Sequence, residues 1–167
     1  MQTANPYASP TGAATDSLWP MEPGELPLAS QGKRFLNFVI DTVITSFLSM
    51  FVGIVIGVAY AVSAVSSGTA IGPDDEASLE SMSFLINLGV IFGYFAITEG
   101  LFQRSLAKFI TGTRVVTADG GRPSFGQILG RSLARFIPFE PFSFFGGKGF
   151  PVGWHDSLSG TRVVQRR

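Results

Sequence analysis

The chain has 167 residues, 46% of them hydrophobic, with twelve basic and twelve acidic side chains and a formal net charge of zero. These totals fit one domain with a tail, and the lack of cysteine excludes disulfides, thiolate metal sites and cysteine nucleophiles. The order of the residues is more informative than their sum.

Residues 1–30 are rich in Pro, Ala, Ser, Thr and Gly and show no sustained hydrophobic period. Such a segment buries too little apolar surface to offset its ordering entropy, so it reads as a disordered cytoplasmic tail. It does not read as a secretory signal, because no basic start precedes an early apolar core.

The run from Phe35 to Val65 contains a single charge, Asp41. Its length exceeds the ~20 residues that carry a helix across a bilayer, and a first span is expected over about residues 35–61, with Lys33 and Arg34 at its headgroup end. At 100° per residue, Arg34, Asn37, Asp41, Thr45 and Ser49 share one stripe. A polar stripe on such a helix must face protein or water, and an ionisable group within it is a functional hypothesis by default.

The next connection, residues 66–81, has no basic residue and holds Asp74, Asp75, Glu76 and Glu80. Every Lys and Arg lies either at positions 33 and 34 or beyond Phe102. The positive-inside rule then puts both termini in the cytoplasm and the acidic connection outside. A second span is expected over residues 82–102, with Asn87, Tyr94 and Thr98 on one face and Glu99 near the cytoplasmic end. Gly53 and Gly57 in the first span, and Gly89 and Gly93 in the second, have the spacing that lets helices approach closely.

Beyond Gln103 the chain is basic and aromatic. Residues 113–117 read as a strand ending in a turn at Asp119, Gly120 and Gly121. Ser124 is a candidate cap for a helix from Phe125 to about Ile137, amphipathic enough to lie in the headgroup layer with Arg131 and Arg135 toward phosphates. Packing of its apolar face on the protein's own core fits the pattern nearly as well. Prolines and glycines within residues 138–154 defeat a third continuous span, leaving an interfacial or shallow re-entrant segment. The pentapeptide GTRVV occurs at Gly112–Val116 and again at Gly160–Val164. Two strands of one small sheet are the expected meaning, with Val115 near Val163.

Lys33 and Arg34 before an apolar helix, Asp41 within it, the stretch EGLFQRSLAKFITGTRVVTADG and the closing GWHDSLSGTRVV together resemble the RDD family of small bacterial membrane proteins. The resemblance covers about residues 31–167. It assigns Arg34 and Asp41 to the first arginine and aspartate of the signature and Asp156 to the second aspartate. Lys108 matches a lysine that closes a GxTxGK-like stretch, which here reads QRSLAK. The family implies an integral domain of the cell (inner) membrane, suspected of ligand or ion transport, with some members linked to sodium/proton exchange.

The fold expected is thus a membrane all-α core of two transmembrane helices, with an interfacial amphipathic helix and a short cytoplasmic two-stranded β element, over residues 31–167. The expected ligand or ion pathway comprises Arg34, Asp41, Glu99 and Asp156, with Asn37, Asn87, Lys108 and His155 in support. Asp156 is expected to pair with Arg34, or to cap the turn before the last strand, while Asp41 holds a proton or cation deeper in. No metal cluster, cofactor loop or nucleophile–base set is spaced for chemistry, so no cofactor and no enzymatic step are expected. Two helices cannot enclose a polar conduit, so a homo-oligomer or other membrane subunits are the expected partners, besides the lipid bilayer. Topology and anionic lipid already account for the basic residues, leaving no place for nucleic acid. The alternative reading is a membrane scaffold whose charges are structural.

Overall fold

The computed structural model describes residues 27–70, 72–145 and 152–165. The expected disordered tail lies outside these except for its last four residues. Two long helices dominate: α1 (Gln31–Ser67) and α2 (Pro73–Phe102), both long and apolar enough to cross a bilayer. At 1.5 Å per residue, α1 extends ~55 Å, well beyond the ~30 Å of hydrocarbon. Ser30 caps its start, its hydroxyl accepting from the Lys33 N–H at 3.4 Å. Gly68, at φ 67°, ends it in a left-handed turn.

α1 is built inside out by the standards of a water-soluble helix. Its buried residues are Arg34, Asn37, Asp41 and Thr45, whereas Phe47, Phe51 and Val62 are more than 60% exposed. Polar groups face protein and apolar groups face outward, the arrangement that suits a surrounding of lipid. The stripe read from the sequence is therefore the packed face, with Ser49 half-buried at its far end.

α2 begins nine residues earlier than expected. Pro73 occupies the first turn, followed by Asp74, Asp75 and Glu76, and the Gly72 N–H donates to the Asp75 carboxylate at 2.9 Å. Proline at this position and acids against the positive end of the helix dipole are favourable. The acidic connection is thus largely the first turns of a helix.

The rest of the described chain forms a cap of short elements. These are α3 (Leu106–Thr111), β1 (Thr113–Thr117), α4 (Phe125–Ala134), a 3-10 turn over Glu140–Phe145, α5 (Trp154–Ser159) and β2 (Thr161–Gln165). The two strands pair antiparallel with Val115 opposite Val163, as the repeat implied. The repeat proves larger than five residues. Each copy is a six-residue helix, a glycine at positive φ (Gly112 at 68°, Gly160 at 62°) and a strand, and only glycine takes that left-handed link without steric cost. Ser124 caps α4 as expected, with its partner Gln127 returning the bond from its own side chain, but the helix stops at Ala134 rather than Ile137. In residues 138–154, the described part holds the 3-10 turn; residues 146–151 lie outside the description.

Residues 27–29 join the sheet, ahead of the boundary expected at residue 30. The Ala29 N–H donates to the Val163 carbonyl and the Gln165 N–H to the Pro27 carbonyl, and Ala29 packs with Val115 and Val163 in a small apolar core. A side chain at Gly53, Gly57, Gly89 or Gly93 would meet nothing within 4 Å, so α1 and α2 do not approach each other through these glycines.

Cysteines at Val115 and Val163 should oxidise to an intrachain disulfide in this cysteine-free protein. The check is loss of two alkylatable thiols by mass spectrometry. A Val116 and Val163 pair, one residue out of register, should stay reduced.

Candidate functional site

The centre of the structure is a cluster of buried ions where the cap meets α1 and α2. Arg131 on α4 is fully buried. Its Nε donates to Glu99 on α2 at 2.8 Å, and one terminal nitrogen donates to Asp156 on α5 and to Thr161 Oγ1 at 2.8 Å. Arg34 on α1 holds the other oxygen of Asp156. Glu99 also receives Lys108 from α3 and Arg135 from just past α4, each at 2.7 Å. Three buried carboxylates (Glu99, Glu140, Asp156) thus share the cluster with four basic side chains (Arg34, Lys108, Arg131, Arg135) and His155.

Burial by itself would disfavour every one of these charges, and the pairings decide the outcome. Burial pushes the Asp156 carboxyl up, but Arg131, His155 and Arg34 together hold it well below the usual carboxylate range. Burial pushes Arg131 down, yet Asp156 and Glu99 raise it above its ordinary value. For Lys108 desolvation wins, and its ammonium is lowered despite Glu99.

Asp41 stands apart from the ion pairs. It does not contact Arg34; its Oδ1 accepts from the Tyr94 hydroxyl at 2.6 Å and the Ala107 N–H at 3.2 Å, and its Oδ2 from the Ser105 hydroxyl at 2.6 Å. Ser105 occupies the threonine position of the GxTxGK-like stretch, so that turn serves Asp41 directly. Asn37 ties α1 to the cap, donating to Thr113 at 3.1 Å and accepting from Thr111 at 2.6 Å. A cavity of about 290 Å³ lies along this stripe, bordered by Asn37, Asp41, Thr45 and Asn87 on the helices and by Lys108 and Arg131 from the cap.

His155 is buried beside Glu140, its Nδ1 against the carboxylate. Burial lowers the ring from its ordinary 6.5 to about 4, against the pull of Asp156, so the ring is neutral at pH 7 and donates Nδ1–H to Glu140.

The sequence-derived residues Arg34, Glu99, Lys108, Asp156 and His155 thus meet in one network. Asp41, Asn37 and Asn87 meet at the adjoining cavity. Asp156 pairs with Arg34 as expected, but it does not cap a turn that starts after it: α5 begins at Trp154, and Asp156, within its first turn, accepts the N–H of the capping Gly153 at 3.2 Å. Arg131 corrects the sequence reading, which turned it toward lipid phosphates. Glu99 pairs with Lys108, Arg131 and Arg135, while Arg104 stacks over Phe109 at 5.4 Å. Sequence reasoning also missed Ser105, Tyr94 and Glu140 as site residues. The four-residue spacing of Arg131 and Arg135 was the available signal, since it sets both on one helix face.

Residues 28–157 match the RDD family. The chain belongs to that family. RDD proteins are membrane proteins, in keeping with the two apolar helices and the polar-inward face of α1. It is also 30% identical over 147 residues to a protein of Bacillus subtilis (strain 168) named "Uncharacterized protein YxaI", covering 80% of this chain and 94% of that one. No solved structure matches. In this RDD protein the arginine and second aspartate of the signature are in direct contact, while the first aspartate has a separate set of partners.

Removing one member of a buried ion pair leaves the other uncompensated, at a cost of about 3–5 kcal/mol. Arg131→Ala should therefore lower the thermal unfolding midpoint in detergent far more than Arg162→Ala, an exposed control. The His155 contribution has the opposite sign from that of a charged histidine. Its folded value lies below the unfolded one, so the neutral ring stabilises the fold above pH 6.5, and this is lost as pH falls from 6.5 toward 4. Asp156, depressed below 3.8, loses its contribution only at still lower pH. The unfolding midpoint should fall across pH 6.5 to 4, and His155→Asn, which keeps a donor near Nδ1, should flatten that slope.

Proposed function

We propose that this RDD protein is a transport component that passes a proton, sodium ion or small solute through the cavity bordered by α1, α2 and the cap. The observation that carries the reading is that cavity: it lies along the first membrane helix, is bordered by Asn37, Asp41, Thr45 and Asn87, and adjoins the ion cluster. A cavity of mixed lining that brings buried polar and charged side chains to an open space serves fold stability less well than packed side chains would. Because two helices leave such a space incompletely enclosed, the working unit is a homo-oligomer or includes other membrane subunits. The reading involves no enzymatic step and no nucleic acid.

Both termini are assigned to the cytoplasmic face of the cell membrane, on the basic residues of positions 33–34 and of the cap. The cap then lies at the headgroups. Phe109, Phe125, Leu133, Phe139 and Leu158 are about half or more exposed, while Ile128 and Arg131 fill the protein-facing side of α4. This supports an interfacial helix whose apolar face, not its arginines, meets the lipid.

A second reading, a membrane scaffold, is favoured by the saturation of the carboxylates, since the network needs no ligand to be satisfied. Asp41→Asn separates the two. The amide keeps the shape and can still accept from Tyr94 and Ala107, while Ser105 can turn to accept from it, so assembly should survive. Under an imposed pH or sodium gradient, reconstituted vesicles should show flux with the native chain and at least about a tenfold loss with the Asp41→Asn variant, tenfold being 1.4 kcal/mol. Absence of flux from the native chain, with the cellular phenotype of Asp41→Asn unchanged, would sink the transport reading in favour of the scaffold.

A further inference from the structure

Three of the buried carboxylates have both oxygens occupied, while three of the guanidinium groups around them keep an unused donor. Both oxygens of Glu99, Asp41 and Asp156 have partners. Among the described residues, by contrast, Arg34 Nε, Arg131 Nη2 and Arg135 Nε are buried with no acceptor. All three arginines line the cavity, as does Lys108. Against these four cations the wall carries only the carboxylates of Asp41 and Glu140, because Glu99 and Asp156 lie behind the arginines and do not line it. A buried N–H without an acceptor is costly, and N–H donors cannot coordinate a metal cation, which needs oxygen ligands. No group of three metal-ligating side chains occurs among the described residues.

We infer that the cavity binds a small oxyanion, a carboxylate or phosphate group, held by Arg34, Arg131 and Arg135 with Lys108 at its side. This deepens the transport reading by naming the class of solute, and it depends on that reading only for the fate of the anion once bound. Guanidinium groups suit such a ligand because their planar donor forks match two oxygens at once. The orphaned nitrogens belong to side chains that line the cavity, so an oxyanion there offers acceptors to the guanidinium groups that lack them. Neutral polar groups farther along the stripe, Asn37, Thr45 and Asn87, are left to contact the uncharged remainder of the molecule. A volume of about 290 Å³ limits that molecule to the small end of ligand size.

Calorimetric titration of the full chain in lipid-free maltoside detergent tests this, with inorganic phosphate and acetate as probes and sodium exchanged for choline at constant ionic strength. Phosphate or acetate should bind with an affinity indifferent to the cation. Arg135→Gln, which leaves Glu99 two other cations, should weaken that binding about tenfold or more, the loss of one charge-assisted bond; Arg162→Gln on the outer strand should not. Native mass spectrometry from phosphatidylglycerol nanodiscs separates the two sources of the anion. A retained lipid that Arg135→Gln releases assigns the oxyanion to a headgroup, and probe binding without retained lipid assigns it to a free solute; either supports the inference. No binding of phosphate, acetate or lipid, or binding unchanged by Arg135→Gln, overturns it. Phosphate binding without flux would keep the inference and remove transport, whereas sodium flux without anion binding would do the reverse.

Discussion

Arg131 is the constraint on which the rest of the structure depends. One guanidinium, fully enclosed, connects Glu99 on the second long helix to Asp156 on the last short one. Asp156 in turn holds Arg34 on the first helix. Three elements far apart in sequence are thereby fixed at one point, in surroundings where none of the charges is tolerable alone. Such a network contributes little net stability compared with an apolar substitute of the same volume, but it penalises any arrangement that leaves one member unpaired. Its effect is to specify how the cap sits on the two helices.

The same logic explains the inversion of α1. Its interior face is polar because the cap offers it hydroxyls, backbone N–H groups and carboxylates; its outer face is apolar because lipid offers nothing of the kind. Asp41 shows the local solution. Three donors from α2 and the start of α3 surround it, one of them the Ala107 main chain, so both its oxygens are hydrogen-bonded by the protein without a cation in contact. The carboxylates and the arginines are thus treated differently. Asp41, Glu99 and Asp156 have both oxygens occupied, and Arg34, Arg131 and Arg135 keep a donor in reserve beside an open space.

Parts of this were legible in the residues. Asp41 stands out because it is the single charge in a long apolar run, and the buried stripe from Arg34 to Thr45 follows from helical spacing alone. The GTRVV repeat gave the strand register because two identical alternating segments bury the same face. The start of α2 was not legible as a helix, since acids at residues 74–76 read equally as an exposed loop until Pro73 is recognised as a first-turn residue. Arg131 was misdirected for a deeper reason: amphipathicity reveals that a helix has two faces and not what either one meets. Its partners lie 32 and 25 positions away, and nothing local points to them. Residues 27–29 were assigned to the tail because their sheet partners come from the far end of the chain.

That long-range wiring bears on how the protein is made. Arg34 and Asp156 are separated by 122 positions, so at a synthesis rate of ~5–20 residues per second the first helix leaves the ribosome roughly 6–24 s before its counterion exists. Asp41 waits a shorter time, because its three donors follow it by 53, 64 and 66 positions, whereas Arg34 lacks its counterion for the whole interval. The first helix is therefore complete long before its cap contacts exist, and the Arg34–Asp156 pair closes only when the C-terminal residues arrive.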